Sequence, residues 1–180
     1  MTIAYRALAA VAAATLAIAC AHQAPATSRA PLAPEVQDLV AVVRAATTRF
    51  RSLDSAAAAG YPRDVARCYI MEQHGAMGYH HVNRSYVDSV LDPEHPEILL
   101  YERAADSSYR LTAIEFIVPY RLWPPDSDSI PTVRGQRLHR VDEVSVWGLH
   151  MWLWKENPAG LFADWNPTVS CPPGTPNGLR

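Results

Sequence analysis

RLTAIEFIVP, residues 110–119, is ten residues of mostly β-branched and aliphatic character closed by a proline. Such a run reads as a strand. Period-two alternation places Leu111, Ala113, Glu115 and Ile117 on one face, which sets a carboxylate in an apolar row. A carboxylate buried there needs a partner. The segment VSVWGLHMWLW, residues 144–154, supplies one: Gly148, His150, Trp152 and Trp154 share a face, so His150 lies in an aromatic row. Other segments of the same texture, separated by prolines and Asp/Ser clusters, are 67–71, 77–83, 97–103 and 136–141. The stretch RAADSSYR (103–110) reads as a hairpin loop, and WPPDSDSIPTVRG (123–135) as a polar, proline-bearing loop of the kind that forms lids or binding edges.

Ahead of these strands, Val36, Leu39, Val40, Val43, Ala46, Phe50 and Leu53 recur at three- and four-residue steps. That spacing predicts one amphipathic helix from Pro34 to about Ala59, with Pro34 at its start and Gly60 past its end. The expected fold class is therefore α+β: an N-terminal amphipathic helix packed on a curved, mainly antiparallel β-sheet or small β-barrel. One domain is expected over 34–172, and the tail 173–180, with nothing to bury, is expected to be flexible.

The first twenty residues, MTIAYRALAAVAAATLAIAC, carry one cation and then an apolar run ending at Cys20. This is the layout of a signal peptide. The run is too short for a membrane-spanning helix, and no later segment is longer, so no transmembrane helix is expected. Small residues before Cys20 resemble the lipobox of bacterial lipoproteins, which predicts lipidation at Cys20, an Ala/Pro-rich linker over 21–33, and an exported protein, periplasmic or anchored in the outer membrane by its lipid alone. Ordinary cleavage near Ala19 or Ala21 is the alternative. With Cys20 acylated, Cys68 and Cys171 remain as a disulfide pair in an oxidising compartment. The 16 Lys+Arg against 18 Asp+Glu leave a formal charge of −2, which argues against nucleic acid as a partner.

The chain contains no G-x-S-x-G, no phosphate-binding loop and no C-x-x-C. What it has is an unusual histidine distribution. His74, His80 and His81 lie in HGAMGYHHVN (74–83), and His150 lies on a separate strand. Met77, Tyr79 and His81 alternate with Gly78, His80 and Val82, so one of the adjacent histidines points inward and the other outward, and His80 is expected inside. If the strands curl, His80, Glu115 and His150 converge, with His74 as a possible fourth group. Imidazoles with a carboxylate suit Zn, Fe, Ni or Cu. The plainer alternative makes His150 a core histidine bonded to Glu115, with His74 and His81 facing solvent. Two functions follow: a binding protein that holds a metal ion or small ligand in a sheet cavity, and a cupin-like metal-dependent enzyme using His80, Glu115 and His150, although the cupin H-x-H spacing is missing. A purely structural lipoprotein is the third possibility. The five tryptophans of the second half line either the core or a ligand cavity. Residues 164–167, DWNP, are expected to form a turn that presents Cys171, and LDPEHPE (91–97) a solvated loop.

The segments RAATTRFRSLDSAAAAGY, GAMGYHHVN, LDPEHPEILLYE, LTAIEFIVP and HMWLWKENPAGLFADWNPTVSC, taken together, resemble a family of uncharacterised exported bacterial proteins and lipoproteins sharing GAMGxH, LDPxxPExLxYE and DWNPxVSC-like pieces. The resemblance implies no activity. It implies that His80, Glu102, Glu115, His150 and the two cysteines belong to the family's recurring segments, whereas the family carries other residues at the position of His74.

Overall fold

A computed structural model describes residues 31–63 and 67–179. The signal segment, Cys20 and linker residues 21–30 lie outside the described residues. Leu32–Arg180 forms one compact unit. Helix α1, Pro34–Thr47, leads into a 3-10 turn, Thr48–Arg51, and then α2, Leu53–Ala58. The strands are β1 (Arg67–Met71), β2 (Gly75–Val82), β3 (Ile98–Arg103), β4 (Tyr109–Pro119), β5 (Thr132–Val133), β6 (Gln136–Arg137), β7 (His139–Val141) and β8 (Val146–Met151). Six of them form a curled antiparallel sheet in the order β1-β2-β3-β4-β8-β7, a half-barrel, and β5 and β6 pair separately. The fold is α+β, as the sequence predicts. Among the described residues no helix is long and apolar enough to cross a membrane.

The helix expected as one piece is broken. Phe50 turns into the core against Tyr61, their rings 5.2 Å apart, and its carbonyl accepts the Tyr101 hydroxyl at 2.5 Å. A carbonyl taken by a strand side chain is withdrawn from the helical ladder. Ser52 then adopts extended backbone and caps α2 by accepting from the Ser55 N–H. Leu39, Val43 and Phe50 pack with Leu99, Ile114, Phe116, Leu149 and Met151 on one face of the sheet. Each such side chain contributes about 2 kcal/mol by leaving water.

The other face is covered too. Ala76, Met77, Ile98, Leu100, Ala113, Trp152 and Val169 form a second core, joined by Trp165 and Leu179 from the C-terminal segment. The tail makes contacts on the edge strand: the Gly178 N–H donates to the Ile70 carbonyl at 2.8 Å, and Asn177 accepts the Glu72 N–H at 3.1 Å. A disulfide joins Cys68 of β1 to Cys171, 103 residues apart.

Two bulges change which side chains share a face. Leu100 pairs with Ala113 but Tyr101 with Leu111, which leaves Thr112 over, its carbonyl taken by the Trp154 and Lys155 N–H groups. Leu111 consequently joins the helix-side core rather than the row of Ala113, Glu115 and Ile117. Met77 is skipped in the same way between Tyr69↔Gly78 and Ile70↔Ala76, so Met77 and His80 face the same side. Trp154 also departs from the expected face, because β8 ends at Met151 and the chain turns; Trp154 packs on the helix side, under Arg44 and Arg51. The expected strand 136–141 divides at Leu138, which is buried, 2% exposed, and donates its N–H to the Pro131 carbonyl.

Glu97, expected in a solvated acidic loop, is 1% exposed and accepts the Ile117 N–H at 3.1 Å. Burial pushes its carboxyl from 4.5 up to about 8, with Asp88 and Glu115 adding to the rise. A folded-state value above the unfolded one means that the native state holds the extra proton, so stability is full below about pH 4.5 and is lost as pH rises toward 8. Glu97→Gln keeps an acceptor for Ile117 without the charge. It is expected to flatten this pH dependence and to stabilise the domain by roughly 2 kcal/mol at pH 8, read from urea unfolding at pH 5 and pH 8. An unchanged pH profile would show that Glu97 is not the group responsible.

Candidate metal centre

β4 and β8 are hydrogen-bonded neighbours with Glu115 opposite His150, so the two groups singled out in the sequence stand side by side. β2 lies one strand further, across β3, and His80 reaches over that strand. The result is a cluster of His80 Nε2 at 3.5 Å and His150 Nε2 at 3.7 Å from the same Glu115 Oε2. The ligating atoms of the three residues all lie within 4.8 Å of one another. Gly148, on the same face of β8, leaves room for the carboxylate: a Cβ there would stand 3.2 Å from Glu115 Oε1.

These separations bear on whether the cluster satisfies itself. Hydrogen bonds to a carboxylate run at about 2.7–2.9 Å, and both contacts are longer. Two donors each about 2.1 Å from one ion at the tetrahedral angle stand about 3.4 Å apart, close to what the structure shows. His150 Nε2 is buried and makes no hydrogen bond, while its Nδ1 faces Asp164 Oδ1 at 3.3 Å. The cluster is held by ion-pair contacts from both imidazoles to Glu115, longer than direct hydrogen bonds.

The imidazoles are oriented from behind. His80 Nδ1 lies 3.1 Å from the Gly78 carbonyl, which can only accept, so the proton sits on Nδ1 and Nε2 offers its lone pair. Asp164 Oδ1 stands 3.3 Å from His150 Nδ1, and its Oδ2 is 3.2 Å from His139 Nε2. Burial first, then the charge of His150, pushes His80 down to about 3, so it is neutral at neutral pH. Burial raises Glu115. For His150 burial works downward as the largest single influence, but Glu115 and Asp164 together hold it above its usual value. Both directions favour the protonated form, so an ion entering here would compete with protons on Glu115 and His150.

The cluster opens on a cleft of about 580 Å³ between the second sheet face and the C-terminal segment. Asp164, Trp165 and Leu179 form part of its wall. The loop 123–135, of the kind that forms lids or binding edges, lines none of it; Trp123, Ile130 and Val133 pack on the helix-side core instead.

His74 sits on the exposed turn between β1 and β2 and is not part of the cluster. His81, expected outside, is 1% exposed and packs by its ring on Tyr101, with Nδ1 2.8 Å from the Pro62 carbonyl, because the helical layer covers that face as well. Glu102 is engaged by Lys155 at 2.5 Å. The sequence places Asp164 only in the 164–167 turn and gives His139 no role, yet both stand beside His150 and each other. His139 had a usable signal: the hairpin joining 136–141 to 144–154 places it opposite Gly148. Asp164 had a weaker one, its position seven residues before a cysteine bridged to β1.

No protein family, curated protein or solved structure matches the chain.

Proposed function

We propose that this is an exported binding protein, lipid-anchored through Cys20, that holds a divalent transition ion at His80, Glu115 and His150. The observation that carries the reading is the spacing: two imidazole nitrogens stand 3.5 and 3.7 Å from one carboxylate oxygen, and both face it with the Nε2 edge. Neutral nitrogen with anionic oxygen suits Zn(II), Fe(II), Ni(II) or Cu(II). The anchor and address rest on the signal layout of residues 1–20.

A second reading, metal-dependent catalysis, is favoured by the cleft of about 580 Å³ in front of the cluster. Three protein ligands leave at least one coordination position to an exogenous molecule, which a catalytic centre requires and a structural one does not.

The test is elemental analysis of the mature domain, purified from periplasm without a histidine tag. Close to one equivalent of metal is expected, and its loss in a His80→Ala/His150→Ala double variant. Gly148→Ala serves as a milder probe, because its added methyl meets Glu115 Oε1; a roughly tenfold weaker affinity with an unchanged circular-dichroism spectrum is expected. Metal absent from the wild-type domain, and not taken up on addition of Zn(II), would overturn the proposal.

A further inference from the structure

We infer that the cleft takes an amphipathic carboxylate, its head on the open position of the ion and its aliphatic body against the apolar wall of the second sheet face. The inference rests on the metal reading above.

The charge at the cluster favours an anionic head. The imidazoles of His80 and His150 ligate as neutral donors, and Glu115 brings one negative charge to a dication. Asp164 does not cancel the remainder locally, because it is shared with His139 at 3.2 Å and stands behind His150 rather than among the ligating atoms. One positive charge is left at the bottom of a cleft with largely apolar walls, and in that setting an anionic ligand is favoured over a neutral one. The two ionic side chains at the mouth, Arg140 and Glu143, are of opposite sign, and Arg140 is already held by Asp142 at 2.8 Å. Neither offers a competing anion site within the cleft.

The wall favours an aliphatic body. Beside the cluster stand Met77, Val82, Ile98, Ile117, Val146 and Leu179, and Val144 at the rim is 45% exposed. A hydrated metal alone, or an ion as small as acetate, would leave this surface in contact with water. A cleft of about 580 Å³ accommodates a medium-chain aliphatic body. Each methylene placed there improves affinity by about fourfold at full burial, so partial burial of six gives roughly 100-fold between acetate and octanoate.

The experiment uses the mature domain loaded with Co(II), whose visible absorption reports its ligands. Octanoate, acetate and octan-1-ol are titrated into the loaded and the metal-free protein, and calorimetry is run alongside. Octanoate is expected to change the Co(II) spectrum and to bind at least 100-fold more tightly than either acetate or octan-1-ol, and only when the metal is present. Octan-1-ol binding as well as octanoate would overturn the role of the carboxylate, and acetate binding as well would overturn the role of the wall. Either result, with Co(II) bound, defeats this inference and leaves the metal site standing. Failure to take up Co(II) defeats both together.

Discussion

Gly75→Ala is expected to cost the domain about 4 kcal/mol, from about 1–2 of backbone strain and a larger clash with a neighbouring main chain. Gly75 has φ +98°, and a Cβ built on it would lie 2.2 Å from the Asn166 carbonyl oxygen and 2.5 Å from the Pro167 Cα. Neither can swing away, because Ala76 and Asn166 exchange two backbone hydrogen bonds at 3.1 Å immediately beside the contact. Gly135→Ala is the control: its φ is +80°, and nothing lies within 4 Å of the added carbon, so it should lose only about 1 kcal/mol of conformational strain. Urea unfolding of the two variants separates the clash from the strain. Equal losses would mean that the 163–169 segment does not press on β2 as the structure has it. The consequence reaches the cleft, since this segment carries Asp164 and Trp165. Any folded Gly75→Ala protein should also bind metal more weakly.

Removal of the Cys68–Cys171 bridge is the second large effect. The bond closes 103 residues, and in the chain-entropy account a loop of that size limits the unfolded state by about 4–5 kcal/mol. A loss of about that size is expected in a Cys68→Ser/Cys171→Ser variant, measured as the difference in urea midpoint against the oxidised wild type. The wild type with dithiothreitol should approach the same midpoint. A loss under 1 kcal/mol would show that the bridged ends already lie close in the unfolded chain. Cys68 sits on β1 at the sheet's edge, next to the strand that carries His80, and Cys171 follows the segment that carries Asp164. The bridge therefore holds the two sides of the cleft together, and the variant should expose Leu179 and the apolar wall, visible as increased binding of a hydrophobic dye.

Much of the site was legible before any tertiary contact was known. Alternation alone put Glu115 in the row of Ala113 and Ile117 and His150 in the row of Gly148, and these two rows are the ones that meet. His80 does lie on the face of Glu115 and His150, but His81, expected outside, is buried on the opposite face. The reason lies in strand geometry: side chains alternate strictly as long as the ladder is regular, so a face can be read without knowing the partner strand. Where the ladder is irregular the reading fails. Thr112 and Met77 are each skipped by their neighbours, and Leu111 and Met77 change sides as a result. The Thr112 bulge follows from a carbonyl used by Trp154 and Lys155, some forty residues on, which no local pattern contains.

By itself, then, the sequence determined the order of helix and strands, the α+β class, the cysteine pair and the shared face of Glu115 and His150. All of these follow from local periodicity, composition and the count of thiols. Only the tertiary structure decided that both sheet faces are covered, that His81 and Glu97 are buried, that His74 stays apart, and that Asp164 and His139 complete the surroundings of His150. Each of those depends on how the C-terminal segment and the helical layer pack across the sheet. Such contacts join residues far apart in the chain, and burial is set by what lies opposite a side chain rather than by its neighbours in sequence.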